Sequence, residues 1–138
     1  MVMLSHLFIG VNDFERAMAF YRPVLGALGL VLRFSSDGSD RGRPGAGPWA
    51  GWHAPDAVRP LLLVGTPYDG SPATPGNGAM TALLAPDRAS VDHVYTTALA
   101  HGGTCDGPPG PRPHYHPGYY GAYFRDPEGN KLAVAWHG

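Results

Sequence analysis

The chain is poor in charge, in cysteine and in long apolar runs, and each shortage removes a class of function. Only 15 % of its 138 residues are charged and the formal net charge is −1, so no basic face points to nucleic acid or to an anionic membrane. A small-molecule ligand, neutral or lightly charged, is the expected partner. No apolar stretch approaches the ~20 residues of a membrane helix, and Met1 to Gly10 lacks the basic region and cleavage site of a signal peptide, so a cytoplasmic location is expected. The single cysteine, Cys105, leaves no internal disulfide and suits a reducing compartment. With no basic or histidine neighbour adjacent to it in sequence to favour the thiolate, it is not read as a nucleophile.

What the chain has in excess is glycine and proline, 20 and 15 residues. These concentrate in three segments, Ser35 to Pro48, Gly65 to Gly78 and Gly102 to Gly118, and leave apolar, periodic stretches between them. The pattern predicts three long loops on an ordered scaffold.

That scaffold repeats. Ser5 to Gly10 reads as a strand, Asn12 as a helix N-cap with Glu15 in a capping box, and Phe14, Ala17, Met18, Tyr21, Leu25 and Leu28 as one apolar helix face that Pro23 should kink or end early. Ala79 to Ala85 reads as the corresponding strand. A second helix starts at Pro86 or Asp87, buries Val91, Val94, Tyr95, Ala98 and Leu99, and closes on Gly102 and Gly103. A shift of 74 residues superimposes Asp13 on Asp87, Tyr21 on Tyr95, Leu25 on Leu99 and Gly29 on Gly103. Strand signals follow each helix: Leu30 to Phe34, Trp49 to His53 and Pro60 to Val64, then Thr104 to Asp106, Tyr119 to Arg125 and Lys131 to Trp136. The expected fold is α+β, a single domain over residues 1–138 built from two β-α-β-β-β modules, 4–64 and 78–137, whose curved mixed sheet surrounds a central cavity.

Three stretches carry a family resemblance: His6-Leu-Phe-Ile-Gly-Val; Ala19-Phe20-Tyr21 with Leu25-Gly26-Ala27-Leu28-Gly29-Leu30; and the turn Asp126-Pro127-Glu128-Gly129-Asn130. Together they resemble the vicinal oxygen chelate superfamily of glyoxalase I, the bleomycin-resistance proteins and the extradiol dioxygenases. Arg112-Pro-His-Tyr-His-Pro-Gly-Tyr-Tyr is similar to one bacterial glyoxalase-like subgroup. The resemblance implies one divalent metal, held by ligands from the first and last strands of each half, that polarises two adjacent substrate oxygens.

In this chain the implied ligand positions are His6, Met80, Leu61 or Leu63, and Ala133. Only His6 is retained, and a thioether is a poor ligand for hard or borderline ions. No metal or other cofactor is therefore expected, with a divalent ion as the alternative. The cavity becomes an apolar lining with one polar group.

His6 is open to three readings: ligand contact, general base, or a histidine satisfied by its neighbours. His114 and His116, two apart in a Pro-rich loop, offer a rearranged metal site with His6 or else a solvated loop. Alternation along Tyr119 to Arg125 assigns Tyr120, Ala122 and Phe124 to the core and Tyr119 and Tyr123 to the cavity. Trp52 repeats Phe124 at a shift of 72, so it belongs to the core, while Trp49 has the opposite parity and faces the cavity. Arg112 is a candidate for a bidentate contact to an anion, or a solvated loop arginine.

Two functions compete. One is a glyoxalase/bleomycin-resistance-like binder of a small organic ligand with a largely lost metal site. The other is a metal-dependent lyase or isomerase of the lactoylglutathione lyase type, with His6 as its catalytic candidate. A homodimer is the expected assembly.

Overall fold

A computed structural model, describing residues 2–138, has ten elements. The first half comprises β1 (His6–Gly10), α1 (Phe14–Ala27), β2 (Val31–Ser36), β3 (Trp49–His53) and β4 (Leu61–Gly65). The second comprises β5 (Thr81–Leu84), α2 (Arg88–Ala100), β6 (Thr104–Pro111), β7 (Tyr120–Arg125) and β8 (Lys131–Trp136). Each half forms a four-stranded mixed sheet, ordered β1-β4-β3-β2 and β5-β8-β7-β6, with one parallel pair and two antiparallel pairs. The duplicated α+β architecture expected from the repeat is present.

The helices begin as duplicates. Asp13, rather than Asn12, is the N-cap of α1, accepting from the Arg16 backbone N–H at 3.0 Å, and Asp87 does the same for Ser90 at 2.7 Å. A capping carboxylate satisfies a donor that the helix itself cannot. Pro23 does not end α1. It removes one intrahelical hydrogen bond, but Val24 and Leu25 beyond it are fully buried, and their burial carries the helix on to Ala27.

At the C-terminal ends the repeat slips by one. Gly29 (φ +81°) ends α1 and Gly102 (φ +97°) ends α2, so the left-handed cap in the second half is Gly102, not Gly103. Both ends close with a backbone hydrogen bond characteristic of this cap, Leu30 N to Leu25 O at 3.0 Å and Gly103 N to Ala98 O at 2.8 Å. Leu99, expected on the buried stripe of α2, is 39 % exposed. The shorter α2 buries only Val91, Val94 and Ala98.

Two more differences separate sequence from structure. β6 extends to Pro111, into what reads as loop, and carries Pro108, Pro109 and Pro111. It is one of the two edge strands of its sheet and pairs only with β7, through two register shifts; an edge tolerates residues without an N–H because one side has no ladder to complete. The turn between β3 and β4, residues 54–60, is two residues longer than that between β7 and β8, residues 126–130. Leu63 therefore occupies the place of Ala133, and Leu61 that of Lys131: Phe8 pairs with Leu63 as Ala82 pairs with Ala133.

One core serves both halves. Trp52, Leu62 and Val64 of the first sheet and Phe124, Leu132 and Val134 of the second belong to a single buried cluster with Phe20 and Tyr21 of α1. Phe20 lies 6.3 Å from Phe124 and Tyr21 lies 6.4 Å from Trp52, ring centre to ring centre, so α1 bridges the two sheets. The Tyr21 hydroxyl donates to Asp126 Oδ2 at 2.6 Å, and Asp126 is buried. Burial, reinforced by the neighbouring carboxylate, pushes the Tyr21 phenol well above its ordinary value, so it remains a donor. Tyr21→Phe is expected to destabilise the fold by about 1–3 kcal/mol, the cost of an unmade buried hydrogen bond. In urea unfolding the midpoint should fall with an unchanged slope.

Candidate functional site

Alternation along β1 turns His6 and Phe8 to the open face of the first sheet, while Leu7 and Ile9 pack in the core. The parallel register sets Leu61 beside His6 and Leu63 beside Phe8. On this face lies a depression of 410 Å³ lined by His6, Phe8, Asp40, Arg41, Trp49, Leu63 and Tyr68. Its size is within the range of small-molecule sites.

The long loop between β2 and β3 reaches over this face and places Arg41 among its aromatic rings. The guanidinium carbon is 5.0 Å from the centre of the Trp49 ring, 5.4 Å from Phe8 and 5.7 Å from Tyr68. Nη1 donates to the carbonyls of Thr66, Ala46 and Gly47 at 2.9, 3.0 and 3.2 Å. Desolvation pulls the guanidinium below its ordinary value, and Tyr68 and Asp40 oppose that shift. Asp40 Oδ1 accepts from the Ser36 hydroxyl at 2.6 Å and from Trp49 Nε1 at 3.0 Å, which holds the carboxyl below its ordinary range. His6 has its Nδ1 2.9 Å from the Ser5 hydroxyl and is exposed.

The second sheet carries its own depression, of 480 Å³, lined by Met80, Tyr115, His116, Tyr119, Tyr123, Lys131 and His137. The Tyr119 and Tyr123 hydroxyls are 2.8 Å apart. His116 Nδ1 accepts from the Gly118 N–H at 3.2 Å, so in the neutral ring the proton sits on Nε2, which donates to His137 Nδ1 at 2.8 Å.

The residues singled out in the sequence are thus divided between two faces. His6, Trp49 and Leu63 line the first depression; Met80, His116, Tyr119 and Tyr123 line the second. Leu61 and Ala133 are buried in the strands and line neither depression. Arg112 donates to the carbonyls of Pro108 and Pro111 in its own segment, and its guanidinium lies 5.9 Å from the Tyr123 ring. His114 packs on Tyr115 at 4.4 Å, and His116 on His137, so the proposed grouping of both with His6 does not form. Phe8 shares the parity of His6 and was accessible to the alternation argument. Arg41 and Tyr68 come from Gly/Pro-rich loops, where no periodicity marks a direction.

At the implied metal positions the chain presents one imidazole, one thioether and two hydrocarbon side chains: His6, Met80, Leu63 and Ala133. Among the described residues no group of three or more His, Cys, Asp or Glu is placed to hold an ion. This donor set does not fit a divalent metal at those positions.

The profile of the Glyoxalase/Bleomycin resistance protein/Dioxygenase superfamily matches residues 3–134. The chain is similar to a glyoxalase/bleomycin resistance protein from Albidiferax ferrireducens T118, at 32 % identity over 99 % of this chain and 100 % of that one, with a TM-score of 0.79. The fold is shared with a glyoxalase/bleomycin resistance protein/dioxygenase family enzyme from Burkholderia phytofirmans PsJN (20 % identity, 99 % of each chain, TM-score 0.67). It is also shared with lactoylglutathione lyase from Agrobacterium tumefaciens (24 % identity, 98 % and 92 %, TM-score 0.61). No curated protein matches the chain.

The Asp40–Trp49 contact gives the first depression a pH signature. A carboxyl whose folded value is depressed keeps its contribution above its unfolded value and loses it as pH falls through the folded one. Tryptophan emission is therefore expected to change at a pH below 3.8, the ordinary aspartate value, and Asp40→Asn should lack that step. A midpoint at or above 3.8 would contradict the assignment.

Proposed function

From the premise that the chain belongs to the Glyoxalase/Bleomycin resistance protein/Dioxygenase superfamily, we propose that it binds a small organic ligand in the depression of the first sheet, without a divalent metal at the superfamily's usual positions. The observation that carries this reading is the wall itself. Phe8, Trp49, Tyr68 and Leu63 supply flat apolar surface, and His6, Asp40 and Arg41 supply the few polar groups that orient a ligand. A lone imidazole at His6 lacks chelate partners for an ion but suits a hydrogen bond to a bound molecule, in either ring tautomer.

The same reading takes the chain as a cytoplasmic homodimer. Leu84, 73 % exposed, is apolar surface that a second copy would cover. No described helix is long and apolar enough to cross a membrane. One protein of the same fold is a lactoylglutathione lyase, and at 24 % identity that likeness carries the fold.

The neutral dye N-phenyl-1-naphthylamine tests the pocket. Its fluorescence should rise on binding to protein treated with a chelator, and Phe8→Ala should weaken binding about tenfold, equivalent to ~1.4 kcal/mol of lost contact. Elemental analysis of protein purified without added metal should find no stoichiometric divalent ion. Dye binding that requires an added ion, or that ignores Phe8→Ala, would sink the reading.

A further inference from the structure

Arg41 has a free edge. Nη1 is fully engaged with the three carbonyls, yet among the described residues neither Nε nor Nη2 has a hydrogen-bond partner, and no carboxylate lies within 4.0 Å of the guanidinium. No buried side-chain nitrogen or oxygen among those residues is left unpartnered. The remaining N–H groups of Arg41, a lining residue of the depression, are therefore open to water or ligand. Nε and Nη2 together form the side-on fork that matches the two oxygens of a carboxylate.

We infer that the ligand of the first depression is a small planar organic carboxylate, its oxygens gripped side-on by Nε and Nη2 of Arg41 and its hydrocarbon laid against Phe8, Trp49 and Tyr68. This rests on reading the depression as the ligand site. The carbonyls on Nη1 fix the plane of the fork, so little ordering cost remains when the anion arrives. The rings flank the guanidinium, so a bound carboxylate would displace water from the fork, and a charge-assisted pair gains strength as water is displaced. Asp40 shares the wall and its charge acts on Arg41, but its Oδ1 is held by Ser36 and Trp49 and it makes no ion pair with the guanidinium within 4.0 Å. Its charge disfavours the anion modestly and so offers a second handle on the assignment.

Calorimetry with 2-naphthoate and its neutral isostere 2-naphthamide separates the two layers of this reading. The wild-type protein should bind naphthoate about tenfold more tightly than naphthamide. Arg41→Lys retains the positive charge and a donor toward the carbonyls but lacks the fork; it should bring the ratio to about two, with the larger loss in naphthoate affinity. Asp40→Asn leaves Arg41 intact and retains an amide oxygen toward Trp49; it should raise the ratio about two- to threefold. Naphthamide binding without preference for naphthoate, or a ratio unmoved in both variants, overturns the carboxylate assignment and leaves the pocket standing. Binding of neither compound overturns both.

Discussion

The molecule depends on a buried carboxylate that has no ion-pair partner among the described residues. Asp126 accepts four hydrogen bonds: from the backbone N–H groups of Glu128 and Asn130 on Oδ1, both at 2.9 Å, and from Tyr21 and the Asn130 amide on Oδ2 at 2.6 and 2.8 Å. A buried charge is tolerated only when its lone pairs are filled in this way. The consequence reaches across the molecule, because Tyr21 belongs to α1 of the other half. The same turn sends Asn130 Nδ2 to the Gly10 carbonyl at 3.1 Å, and Glu128 caps the Asn12 and Asp13 N–H groups at 2.7 to 2.9 Å. The end of β1 and the start of α1 are thereby fixed by a turn more than a hundred residues away, and with them the direction in which His6 and Phe8 face.

This explains which parts of the fold were legible in the sequence. The turn was legible as one of the three stretches that carry the family resemblance; its cross-links are invisible without the other half beside it. The helices and strands were legible because their patterns are local: a capping aspartate, apolar residues at helical spacing, alternation along β7. Pro23 and Leu99 misled because propensity and stripe ignore neighbours, and burial of Val24 and Leu25 outweighed the proline while the short α2 left Leu99 outside. The prolines of β6 hid a strand because edge position is a property of the sheet, not of the segment.

The candidate site was half legible. Strand positions could be assigned a face by parity, so Trp49 and Tyr123 were placed on the open faces, while His6 was placed by the ligand position the resemblance implies. Loop positions could not, and the most consequential side chain of the first depression, Arg41, lies in a segment that reads only as flexible. Its order comes from long-range contacts: Arg41 to Thr66, and Arg43 to the Tyr68 carbonyl at 2.9 Å. Within a duplicated fold, the two halves have diverged into different surfaces, one with an arginine among rings, the other with paired phenols and paired imidazoles. Superfamily membership predicts the scaffold of both and the chemistry of neither.

The shared core has a bearing on how the molecule responds to cutting. Residues 69–72, in the connection between β4 and β5, are exposed, the sort of place where proteases nick a folded chain. A break there would separate two pieces in sequence but not in space, since Phe20 rests on Phe124, Tyr21 on Asp126, and Glu128 on the first turn of α1. The chain would behave as a pair of complementary fragments held without a covalent link. Neither fragment has a finished interior, so each would act as the folding template of the other.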